Sequence, residues 1–218
     1  MRLSKVHVTN YKSVLDSNWF TVDDLTCLVG KNESGKAALL EALEKLNSVD
    51  PKRTDYNLTE YPRMNWSEYE ESGQVAIALE TEWLLDDKEI EFINSSTPEP
   101  ALKSTVIRIS KDYSNKVKWD VQLDYGKAVT SLLNSSGLDD EDKKKLGAPN
   151  TTTDLIKALR DLEENATPRH KTFLIELEAR FPEGSLMQHT IAYLQKRLPN
   201  LSTTHIMMSY QAVYQLIN

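Results

Sequence analysis

The chain has 218 residues, enough for one sizeable core or for one domain carrying an insertion. Its 26 basic and 33 acidic side chains give a net charge of −7, which excludes a chain-wide basic footprint for nucleic acid. The longest apolar runs are a handful of residues, too short to span a bilayer. The opening Met1-Arg-Leu-Ser-Lys-Val6 lacks a hydrophobic signal core, so a cytoplasmic protein without a membrane partner is expected.

Residues 2–10 alternate, with Leu3, Val6 and Val8 against Arg2, Lys5, His7 and Thr9, which predicts a half-buried strand. Tyr11-Lys12-Ser13 turns the chain, and Ser17–Val22 reads as a second strand paired with the first. Asp23-Asp24 leads into an apolar run, Leu25 to Val29, predicted to be a strand with Cys27 as a small buried residue. The single cysteine can form no internal disulfide.

The run stops at Gly30, and four residues lead to Gly35 and Lys36. This is the G-x-x-x-x-G-K spacing of a phosphate-binding loop between strand and helix. Gly30 and Gly35 can take the dihedrals that turn successive N–H groups inward as an anion nest. The helix starting near Lys36 adds free N–H groups and a partial positive charge, and Lys36 can reach β- and γ-phosphate oxygens as a point charge. The position after the lysine, where a Ser or Thr hydroxyl would ligate Mg²⁺, is Ala37. Backbone donation survives that change and the metal ligand does not. The helix then carries Leu39, Leu43 and Leu46 on one stripe, with Glu41, Glu44 and Lys45 on the wetter side.

Residues 51–72 show no clear period. Gln74–Trp83 alternates and predicts an antiparallel strand. The following Leu84-Leu85-Asp86-Asp87 imitates a Walker B motif, but Thr81 and Glu82 interrupt the continuous apolar strand that such a motif needs, so a core strand followed by a turn is the preferred reading. A helical turn over 88–93 and a loop over 94–100 precede a hairpin, 105–109 with 116–123, around Asp112-Tyr-Ser-Asn115. Helical texture begins near 126. Val129, Leu132 and Leu133 open it, Ser135-Ser-Gly137 breaks it, and 139–145 reads as a solvated charged face. Asn150–Asp154 supplies caps for a helix with Leu155, Leu159 and Leu162. Pro168 starts another with Phe173, Leu174, Leu177 and Phe181, and Met187, Ile191, Leu194 and Leu198 mark the next. These stripes are core, or a helix–helix interface. His7, His170, His189 and His205 lack metal-ligand spacing, and no nucleophile–base pair stands out.

Leu28-Val-Gly-Lys-Asn-Glu-Ser-Gly-Lys36 with Leu39-Leu-Glu-Ala-Leu43 resembles the ATPase head of the OLD-family nucleases (overcoming lysogenization defect) and their RecF/SMC-like ABC ATPase relatives. Val6-His-Val-Thr-Asn-Tyr-Lys-Ser13 is similar to that family's opening strand, and Tyr61-Pro-Arg63 and Arg197–Tyr210 match it more weakly. The resemblance implies an α/β fold, a P-loop NTPase of ABC/RecF-like type. Residues 1–125 would form an N-terminal lobe with mixed sheets around the P-loop helix, 126–199 an α-helical insertion, and 200–218 a strand re-entering the head. It implies ATP with Mg²⁺, the latter weakened by Ala37. Phosphates would be held by Gly30, Lys31, Asn32, Glu33, Ser34, Gly35, Lys36, Ala37 and Ala38, with Lys12 and Ser13 close to the nucleotide. Arg63 could face nucleotide or DNA, with a surface salt bridge the plainer reading.

No Leu-Ser-Gly-Gly-type signature, Walker B acid pair or Toprim nuclease domain is visible. No catalytic residue and no protein metal ligand is therefore assigned. The expected function is an ATP-binding head linked to DNA processing or phage defence, with weak or no hydrolysis by this chain alone. A second copy or a partner protein would complete the site, and DNA is a further candidate ligand. The alternative is a non-catalytic regulatory or assembly module that docks through the helices at 153–199.

Overall fold

A computed structural model describes residues 1–24, 26–31 and 34–201. The chain divides into two compact units: residues 1–84, 106–120 and 198–218, and residues 85–105 and 121–197. The division differs from the boundary expected at 125/126, because residues 85–105 go with the helical part.

The first unit is built on an antiparallel sheet. Its strands are β1 (Arg2–Tyr11), β2 (Val14–Asp16), β3 (Phe20–Thr21), β4 (Ile77–Leu84), β5 (Val106–Asp112) and β6 (Val117–Asp120). Their order is β2-β1-β4-β5-β6, with β3 also on β1. The region 17–22 thus does not form one continuous strand: β2 pairs as Tyr11↔Val14 and Thr9↔Asp16, and β3 as Val6↔Phe20. The pleat sorts side chains as the alternation predicts. Val6, Val8, Leu79, Trp83, Ile107 and Ile109 are buried on one face. On the other, Glu82 takes Arg108 at 2.8 Å and Lys5 at 3.1 Å, and His7 lies between Asp16 at 2.8 Å and Glu80 at 3.2 Å. The buried Trp83 indole N–H donates to Thr81 Oγ1, whose hydroxyl donates to the Ile109 carbonyl, so this polar chain is satisfied.

Helix α1 (Lys36–Glu44) packs on the inner face of β1 and β4 through Ala38, Ala42 and Leu43, and Leu46 follows it into the core. Glu44, expected on the wet side, is buried, with Arg53 at 3.3 Å and Ser48 Oγ at 3.4 Å. Short 3-10 turns at Pro51–Arg53, Leu58–Glu60 and Arg63–Asn65 lead to α2 (Trp66–Ser72). Among the strands the described pairing is antiparallel throughout. A parallel bridge joins Ser48 to Leu201. Beyond Leu201 the strand expected over 200–218 lies outside the described residues.

The second unit is helical: α3 (Asp87–Ser95), α4 (Tyr125–Ser135), α5 (Asp140–Lys145), α6 (Thr152–Asp161), α7 (Pro168–Arg180) and α8 (Leu186–Arg197). Capping boxes at Thr151 and Thr167 start α6 and α7 where the sequence places them. The core of this unit takes Leu132, Leu155, Leu177, Phe181 and Leu194 from the predicted stripes and adds Leu186, whereas Met187 and Ile191, expected on the α8 stripe, are only half-buried. Among the described residues no helix is long and apolar enough to cross a membrane.

Candidate functional site

The site is assembled where α1 begins. Gly35 is the N-cap of α1 with φ 85°, in the left-handed region. A Cβ at Gly35 would lie 3.0 Å from Val14 Cγ2 and 3.4 Å from Ser13 Oγ, so the helix start abuts the β1–β2 turn, with room only for glycine. No side chain caps α1 and its first turn holds no acidic residue. Its first N–H groups have no partner inside a helix, and among the described residues no carboxylate or hydroxyl caps them.

Lys36, the first helical residue, folds over the loop. Its Nζ donates to the carbonyls of Gly30 (2.8 Å) and Lys31 (2.7 Å) and to Ser34 Oγ (3.2 Å). The Ser34 N–H donates to the Lys31 carbonyl at 3.2 Å and closes the turn. Among the described residues the ammonium is thus held at the mouth of the loop by neutral oxygens, with no carboxylate paired to it.

Lys12 follows β1 in a left-handed conformation (φ 53°), and its N–H donates to the Glu60 carbonyl at 2.7 Å. Its ammonium pairs with the Glu41 carboxylate and lies 3.9 Å from Glu60 Oε1. Lys12, Ser13, Ser34, Gly35, Lys36, Ala37, Ala38 and Glu41 line one open cleft of about 510 Å³. The structure therefore brings together Lys12, Ser13, Ser34, Gly35, Lys36, Ala37 and Ala38 of the expected site. Gly30 and Lys31 join through their bonds to Lys36 Nζ. Asn32 and Glu33 lie outside the described residues.

The segment feeding the loop corrects one expectation. Residues 26–31 form no strand, Cys27 is exposed rather than buried, and Val29 is 88% exposed. An apolar run becomes a strand only where a neighbouring edge accepts its backbone hydrogen bonds, and among the described residues no such pairing exists for it.

Two other expectations resolve. Asp86, in the Walker B look-alike, is the N-cap of α3 and accepts from the Glu89 N–H at 2.9 Å. That bond, with Arg197 beside it, holds its carboxyl down at about 2. Arg63 is exposed, does not line this cleft, and forms no ion pair among the described residues.

Three charged residues around α1, Glu41 on the cleft wall and Glu60 and Lys111 beyond it, were not singled out by sequence. Glu60 accepts from the Tyr11 hydroxyl at 2.9 Å and pairs with Lys45 at 3.2 Å. Burial acts to raise its pKa, but bonds from the Asn57 N–H, Tyr11 and Lys45 outweigh burial and hold it below the usual range. Glu41 was placed on the wet side of α1, and only the turn at Lys12 gives it a partner. Lys111 is buried, and burial lowers its pKa. Its signal was present in the alternation, since positions 107, 109 and 111 of β5 all face inward.

For a divalent cation the donor set is thin. Ala37 offers a methyl group, and among the described residues no group of three His, Cys, Asp or Glu side chains converges. Among the described residues the side-chain oxygen donors on the cleft are the Ser13 and Ser34 hydroxyls and the Glu41 carboxylate. These fit a cation that takes most of its ligands from phosphate and water, the usual habit of Mg²⁺.

The AAA ATPase domain profile matches residues 1–213. No curated protein matches. Among solved structures, a chain from a study of "ATP-driven dimerization and DNA stimulated activation of SMC ATPases" is similar at 13% identity, covering 81% of this chain and 99% of its own, with a TM-score of 0.28. A likeness at that score carries no argument.

Proposed function

Because this chain belongs to the AAA ATPase domain family, an α/β P-loop NTPase family of nucleotide-binding modules, we propose that it binds ATP in the cleft at the start of α1. The Lys36 ammonium and the N–H groups from Gly35 to Ala38 hold the phosphates, and Lys12 and Ser13 contact the nucleotide from the β1–β2 turn. One observation carries the reading. An uncapped helix start, a left-handed glycine and two ammonium groups converge on one open cleft.

With a methyl at position 37 and no Walker B acid pair visible in the sequence, hydrolysis by this chain alone is weak or absent, and a second copy or a partner protein completes the site. The link to OLD-like proteins, and through them to DNA processing or phage defence, rests on the residues of the loop and of the first strand. Docking through the helices at 153–199 has less support. Their apolar stripes are already spent on the core of the second unit, with Leu155, Leu177 and Leu194 buried.

If the phosphates carry the binding, affinity falls in the order ATP, ADP, AMP in a competition assay with a fluorescent nucleotide. Equal affinity for ATP and AMP contradicts the assignment.

A further inference from the structure

The cleft contains a group that a phosphate site does not need. Glu41 is an acid on the wall of a pocket whose other charges among the described residues, Lys12 and Lys36, are positive. Among the described residues its partner is Lys12. Residues 37 and 41 are one helical turn apart and share a face of α1. Side chains on a helix lean toward its N-terminus, which directs Glu41 toward the turn that carries Ala37, and both residues line the cleft.

A polyphosphate entering the cleft adds several negative charges. Lys12 and Lys36 are attracted to it, and Glu41 is repelled unless a cation stands between the two. A carboxylate that shares a divalent ion with phosphate oxygens is the usual way Mg²⁺ is held at such sites. From the juxtaposition of Glu41 with the methyl of Ala37 on one wall of the cleft, we infer that Glu41 is the protein ligand to the nucleotide's Mg²⁺, directly or through one coordinated water, in place of a side-chain hydroxyl at position 37. Before nucleotide binds, Lys12 occupies that carboxylate. On binding, Lys12 passes to the phosphates and the ion takes its place. This rests on the nucleotide-binding reading above.

The test is calorimetric titration of ATP into the full chain with and without Mg²⁺, for the wild type, Glu41→Gln, and Glu41→Gln combined with Ala37→Ser. Mg²⁺ is expected to tighten ATP binding to the wild type by about tenfold or more. Glu41→Gln removes that gain without weakening metal-free ATP binding, and adding Ala37→Ser restores it. A Glu41→Gln protein that keeps the gain overturns the inference. So does one that loses affinity equally with and without Mg²⁺, since Glu41 would then only orient Lys12. Neither result bears against the nucleotide-binding reading, since the wild type still binds ATP in both. A wild type that binds no ATP under either condition overturns the nucleotide reading and this inference together. Mn²⁺ in place of Mg²⁺ gives a second readout. Its spin-resonance spectrum in the ATP complex changes with Glu41→Gln if the carboxylate belongs to its coordination sphere, and a spectrum identical in both proteins counts against it.

Discussion

Lys111 Nζ, carried on β5, donates at 2.8 Å to the carbonyl of Lys45, the residue that closes the carboxyl end of α1. The amino end of the same helix is the candidate site. A buried cation therefore meets the negative end of the helix dipole, while the positive end is left open to an anion. Lys111 also donates to the Thr54 carbonyl at 2.7 Å, which ties the 51–55 turn to the helix.

Replacing Lys111 with Met keeps the stem and removes the ammonium. The Lys45 and Thr54 carbonyls are then left without their donor, at a cost of about 1–3 kcal/mol for each group that water cannot reach. Relief from burying a charge offsets part of this. A net loss of about 2 kcal/mol in the unfolding of the first unit is expected from urea denaturation. An unchanged midpoint would show that the lysine does not anchor the helix.

The two loop glycines should respond differently. Gly35→Ala forces a side chain into φ 85° and to within 3.0 Å of Val14, and should cost about 1–3 kcal/mol as well as distort the cleft. At Gly30 the φ is ordinary, and the added Cβ would approach Ser34 Oγ at 2.9 Å, a hydroxyl that can rotate away. Gly30→Ala should fall within about 0.5 kcal/mol of the wild type. Thermal unfolding of the two variants side by side checks this, and equal shifts would contradict it.

Three tyrosines set the alkaline limit of the first unit. Burial, aided by the Glu60 carboxylate, raises the pKa of Tyr11, Tyr56 and Tyr113 above the ordinary 10.0. Above pH 10.0 the unfolded chain loses these protons first, so the native state binds more protons and stability falls as pH rises toward the folded values. Lys111 acts in the opposite sense. Its pKa is depressed below 10.5, so the cost of its buried charge is relieved as pH rises, but it is one group against three. Denaturant midpoints should therefore drop steeply above about pH 10, with tyrosinate absorbance from these rings appearing only on unfolding. Full tyrosinate development in a still-folded protein would contradict the packing described.

Much of this was legible in the sequence because the signals are local. The alternation of Val6 and Val8, the caps around Thr151, the helix start at Pro168, and the glycine-bounded loop before an amphipathic helix each fix structure within a few residues. The strand predicted for Leu25–Val29 failed because apolar composition states a capacity to pair, and the pairing edge must come from elsewhere. Glu44 was misplaced because its burial depends on Arg53 and Ser48 arriving from the next segment. Glu41 was placed correctly on the wet side of α1, yet its meaning depends on Lys12, 29 positions earlier. The grouping of 85–105 with the helical unit escaped for the same reason, since it is a matter of tertiary contact rather than texture.

The central claim is that the loop around Lys36 holds nucleotide phosphates. Calorimetric titration of ATP into the purified chain, beside Lys36→Ala, tests it most directly. Saturable binding to the wild type that weakens by about a hundredfold or vanishes in Lys36→Ala is the predicted result, in keeping with the loss of a charge-assisted contact to phosphate. Equal binding by both proteins, or none by the wild type, would contradict it.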